Sequence, residues 1–157
     1  MRMIAMVVAA AAMAACDRTT NSGGTVIAFD PTPAIAVQIS PQTLPLFPGS
    51  TPSCPSGAAF TTGFDLVIAQ TGRGDLFIDQ VELRVIDATG VGGPSLTIPQ
   101  RQLTSMFGSR RVVGTRAFPF RPEFACGPAR PRSVVGSVVL IDAGGMVRTL
   151  GVDAAFR

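Results

Sequence analysis

The chain has 157 residues, with 13 Arg, 8 Asp and 2 Glu, no Lys, His, Trp or Tyr, and a formal net charge of +3. Without His there is no Ser-His-Asp triad, no Cys-His dyad and no imidazole metal site, and three Cys cannot complete a four-cysteine zinc site. The 17 Gly and 13 Pro interrupt the chain too often for a helical bundle.

Residues 1–15, MRMIAMVVAAAAMAA, are apolar except for Arg2. A positive charge followed by a short apolar run that ends in small residues is the pattern of a secretory signal, and the run is too short to span a bilayer, which needs roughly 20 residues. Met13-Ala14-Ala15-Cys16 closes the run. This resembles a bacterial lipoprotein signal, with Met13 where that family usually has Leu. The resemblance implies cleavage before Cys16, lipid on its thiol and stable attachment to a membrane of the cell envelope. In enteric bacteria an Asp at the position of Asp17 resembles an inner-membrane retention signal; inner and outer membrane stay as alternatives. Residues 16–33 then read as the lipidated Cys and a flexible tether, polar and Gly-containing up to Thr25 and extended through Pro31 and Pro33.

Residues 34–157 read as one all-β domain. Ile35, Val37 and Ile39 alternate with smaller or polar neighbours up to Pro41, and Phe64, Leu66 and Ile68 alternate with Asp65, Val67 and Ala69. The longest stretch of this domain free of Gly and Pro, 75–89, could hold a helix, but Val81, Leu83 and Val85 alternate with Glu82 and Arg84, which is a strand period. Leu96–Ile98 is a short strand stopped by Pro99, and QRQLTSMF at 100–107 suits a short helical turn. The segment 112–120 is a further strand, with Pro119 either demoting its end or placing it at a sheet edge. Segments 134–142 and 146–156 flank Ala143-Gly144-Gly145, a hairpin signal.

Seven strands, A to G at 34–40, 60–70, 76–87, 95–98, 111–120, 134–142 and 146–156, give an architecture that resembles an immunoglobulin-like antiparallel β-sandwich. In an up-and-down order B and F run the same way. Cys54 precedes B, and Cys126 precedes F, by similar lengths, so a Cys54–Cys126 disulfide is expected near one end. With Cys16 lipidated, these two Cys are the even pair that an oxidising compartment favours.

Charge is polarised along the chain. Residues 17–100 are net acidic, whereas 101–132 carry Arg101, Arg110, Arg111, Arg116, Arg121, Arg130 and Arg132 against Glu123. Arg110, Arg111, Arg116, Arg121, Arg130 and Arg132 are therefore candidate anion-binding residues for an acidic glycan or lipid head groups; the alternative is internal pairing with the acidic strands. Absence of Lys from the whole chain makes Arg itself a poor sign of recognition. Arg73-Gly74-Asp75 matches a cell-adhesion tripeptide in the expected B–C turn, but Gly72, Gly74 and Asp75 are equally ordinary turn residues. Asp75, Asp79 and Asp87 do not match a calcium-loop spacing, and about 13 Å separates even the nearer pair along a strand. Gly90-Val91-Gly92-Gly93 precedes a strand rather than a helix, which makes it a turn and not a phosphate loop. The expectation is thus a non-catalytic, exported envelope module without metal or cofactor. Its partners would be the membrane, through lipid on Cys16, and an envelope protein or acidic polymer, with no nucleic acid.

Overall fold

The structure, a computed structural model, describes residues 26–28, 34–50, 58–72, 74–127 and 131–157. They form thirteen strands and one helix. The strands are β1 (Val26–Ala28), β2 (Ile35–Ser40), β3 (Thr43–Leu44), β4 (Phe47–Pro48), β5 (Ala58–Thr61), β6 (Phe64–Gln70), β7 (Leu76–Asp87) and β8 (Gly92–Pro99). Helix α1 (Gln100–Phe107) follows, and then β9 (Arg111–Val112), β10 (Thr115–Phe120), β11 (Glu123–Gly127), β12 (Pro131–Asp142) and β13 (Val147–Phe156).

The fold is predominantly β, built of several antiparallel sheets. One sheet has the order β1-β2-β6-β10, and a larger one the order β3-β13-β12-β7-β8, with β9 also paired to β7. A small sheet, β11-β5-β4, lies beside them. The short β3–β13 contact is parallel. Alternation places one face of each large sheet in a shared apolar core: Ile35, Val37, Ile39, Leu66 and Ile68 from the first, and Val81, Leu83, Val85, Val138 and Leu140 from the second. The arrangement is compatible with a sandwich.

Sequence periodicity locates the long strands closely, β7 at both of its ends. Segment E departs from expectation. It is interrupted at Gly114, whose φ of +61° suits glycine, and becomes β9 and β10, which belong to different sheets. Pro119 does stand on an edge strand, since β10 pairs with β6 alone among the described residues. Segment B divides at Thr62-Gly63 into β5 and β6. The helix at 100–107 begins directly after Pro99 and ends at Gly108, where φ is +68° and the N–H bonds to the Thr104 carbonyl. Leu103 is its buried residue, and Phe107 packs edge-on against Phe118 and Phe120.

The disulfide expectation needs correction. No bond between two cysteines is found among the described residues: Cys16 and Cys54 both lie outside them. Cys126 is itself disulfide-bonded, and its other half is not among the described residues. It stands on β11 rather than in a free loop before β12, at a φ of +55° where the β11–β5 register shifts.

Candidate functional site at the β6–β7 end

The ends of β6 and β12 and the starts of β2, β7 and β13 meet at one end of the molecule. Strand pairing defines it. Val147, Ile141, Phe77 and Arg111 stand opposite one another in sequence across β13, β12, β7 and β9. Beside that rung, Asp142 and Val112 both face Leu76. Antiparallel partners point to the same side, so Leu76 and Val112 enter the core while Phe77 and Arg111 face away from it.

Gln70, the last residue of β6, is a buried polar group in this region. Its Nε2 donates to the Gly74 carbonyl at 3.0 Å and to the Val112 carbonyl at 3.1 Å, which ties the 71–75 turn and β9 to the end of β6. The Ala143 N–H donates to the Asp75 carbonyl at 3.0 Å and joins the β12–β13 turn to the same place. That turn is held by Asp142, whose Oδ1 accepts from the Gly144 and Met146 N–H groups, both at 2.9 Å. Between these turns lies a cavity of about 170 Å³ lined by Ile35, Gln70, Asp75, Asp142 and Arg148 among others. It mixes carboxylates, an amide and a guanidinium over an apolar floor.

The arginines of 101–132 do not gather here as one patch. Arg111 forms an ion pair with Asp75. Arg110 donates to the Ile78 carbonyl at 3.1 Å, stands 3.9 Å from Asp79 Oδ1 and lies over the Phe77 ring. Arg116 donates to the Arg111 carbonyl and stacks its guanidinium 4.6 Å from the Phe118 ring centroid. These three belong to the β6–β7 end. Arg121 follows the opposite end of β10, where it donates to the Phe120 carbonyl and lies against Gly63. Arg132 sits exposed near the start of β12, also at the far end. Arg130 and Arg73 lie outside the described residues. Gly74 has a φ of +130°, as its turn reading requires.

Three exposed apolar side chains that sequence reasoning passed over surround this end: Val113 (62 % exposed), Met146 (55 %) and Val147 (59 %). Each lies within two residues of Gly114 or Gly145, glycines at positive φ. An apolar residue beside a turn glycine is a weak signal available from sequence; that the three stand at one end is not. Among the described residues no group of three His, Cys, Asp or Glu is placed to hold a metal ion. No helix among them is long and apolar enough to cross a membrane.

No protein-family model and no curated protein matches the chain. A solved structure described as Northeast Structural Genomics Consortium target SoR45 is similar in fold, with a TM-score of 0.52 at 11% identity over 82% of this chain and 89% of that one. The putative ApaA protein from Bordetella pertussis aligns at 12% identity with a TM-score of 0.42, over 80% of this chain and 92% of that one.

Proposed function

We propose that the chain is a non-catalytic module of the bacterial cell envelope, exported, anchored by lipid on Cys16, and engaging a protein partner through its β6–β7 end. The observation that carries this reading is that Val113, Met146 and Val147, each more than half exposed, stand at the same end of the molecule, where the turns also enclose a polar cavity that they do not line. Apolar side chains left exposed at neighbouring turns of one end have the composition of a recognition surface. The turns beneath them are cross-linked by Gln70 and Asp142, so little ordering entropy is lost on contact.

Support for an immunoglobulin-like sandwich comes from strand neighbours. In the A to G lettering, A, B and part of E adjoin in one sheet, and G, F, C and D in the other. Division of hairpin-connected strands between two layers is the habit of that architecture. The alternative, binding of acidic glycan or lipid head groups through 101–132, loses support from the geometry. Arg110 and Arg111 face Asp79 and Asp75, and of the five described candidates Arg110, Arg111 and Arg116 stand at one end and Arg121 and Arg132 at the other.

Two experiments test the reading. Cys16→Ser should move the protein out of the membrane fraction; unchanged detergent-phase partitioning would defeat the anchor. Val113→Asp combined with Met146→Asp should preserve the strand signal in circular dichroism while cutting cross-linking to envelope proteins at least tenfold. Undiminished cross-linking would remove the β6–β7 end from the proposal.

A further inference from the structure

The outward face of the large sheet carries an arrangement of charge unrelated to the β6–β7 turns. Inward residues of β7 and β12, such as Leu83 and Val138, are buried. Outward residues alternate with them and none is buried. One rung across β8, β7, β12 and β13 reads Thr97, Glu82, Ser137, Gly151. The next reads Ser95, Arg84, Val135, Asp153. Beyond the first rung stand Val139 and Thr149, and beyond the second Ser133 and Ala155. Small side chains on β8 and β12 flank Glu82 and Arg84, with a shallow depression between Glu82, Arg84, Val135 and Ser137. Glu82 and Arg84 take no part in the two ion pairs found among the described residues.

We infer that this face binds a second copy of the same chain. The argument is self-complementarity. A two-fold axis lying in the face, across the strands and between the two central rungs, lays each rung on the other. Glu82 of one copy then meets Arg84 of its mate, twice over, and Asp153 meets Gly151. Val135 covers Ser137, and Val139 covers Ser133. No like charges on these rungs are opposed, and the small residues let two sheets approach to the usual spacing of about 10 Å. Such closed two-fold pairing is the commonest form of self-association. Four strands about 4.8 Å apart and the nine residues from Ser133 to Ile141 define a face of roughly 500 Å² per copy, or on the order of 1,000 Å² in all. That reaches the lower range of specific interfaces. An interface of that size belongs with weak, reversible association.

The test is sedimentation of the full chain in density-matched nonionic detergent, where the micelle is common to all variants. The unaltered chain should be dimeric at about 100 µM. Glu82→Arg alone and Arg84→Glu alone should each weaken the dimer tenfold or more, because each sets like charges face to face. The double exchange, Glu82→Arg with Arg84→Glu, should restore it. Mixing the two single variants should yield mixed dimers, since their charges complement across the axis but not within either variant. A monomer at that concentration, or a mixture no more dimeric than its components, would overturn the inference.

Discussion

At the scale of single residues, the acidic side chains show how a turn or a cross-strand contact assigns each carboxylate a place. Asp87 Oδ1 accepts from the Thr89 hydroxyl at 2.7 Å, the Thr89 N–H at 2.8 Å and the Val91 N–H at 2.9 Å. The Thr89 hydroxyl first, and then the Val91 N–H, hold its carboxyl below the ordinary value of 3.8. A depressed folded value means that this contribution to stability is complete above the ordinary value and is lost as pH falls through the lower, folded one. A carbon-detected NMR titration should find the Asp87 midpoint below 3.8, and Thr89→Ala should raise it; a midpoint at or above 3.8 in the unaltered protein contradicts the assignment. Gln70 is the second residue to test. Gln70→Leu fills the same place at the end of β6 with an apolar side chain but leaves the Gly74 and Val112 carbonyls without their amide donor. Urea unfolding should show a loss of roughly 1–3 kcal/mol, the usual cost of stranding buried polar groups. Sequence reading named Asp75, Asp79 and Asp87 as groups that do not share an ion, because spacing along one strand is enough to separate them. It could not name Arg111 and Arg110 as the partners of the first two, because those contacts join positions more than thirty residues apart.

At the scale of elements, the long strands were legible because one face of each is buried and the other is not. β6 alternates buried and half-buried residues over its whole length, and so does the sequence Phe64 to Gln70. Short strands carry no such signal. β3, β4 and β9 have two residues each, fewer than one full alternation. β11 is irregular at Cys126, so its period is broken where the register shifts. Glycine within a long strand means close approach: at Gly136 of β12 a Cβ would stand 2.2 Å from the Glu82 carbonyl oxygen and 2.9 Å from Leu83 Cδ2. Backbone cannot yield there without parting β12 from β7. Gly136→Ala should therefore lower stability by about 1–3 kcal/mol, as overpacking does, visible as a lower thermal midpoint. An unchanged midpoint would show that the two strands can separate without loss.

At the scale of the whole molecule, β7 and β12 form the central seam of the large sheet, each paired on both sides over most of its length. Native-state hydrogen exchange should be slowest there and fastest in β3, β4 and β9, whose pairing is brief. Comparable protection of β9 and β7 would contradict this strand pairing. Composition and period by themselves determined the all-β class, the places of the main strands and the short helix, because these depend on local burial and on residues with few backbone options; of the two readings left open at Pro119, strand pairing selected the sheet edge. Tertiary structure alone decided that segment E divides between two sheets, that Arg110, Arg111 and Arg116 separate from Arg121 and Arg132 toward opposite ends, and that Val113, Met146 and Val147 share one end. The physical reason is the same in each case: strand period says which way a side chain faces, whereas the neighbour it meets is chosen by pairing between residues far apart in the chain.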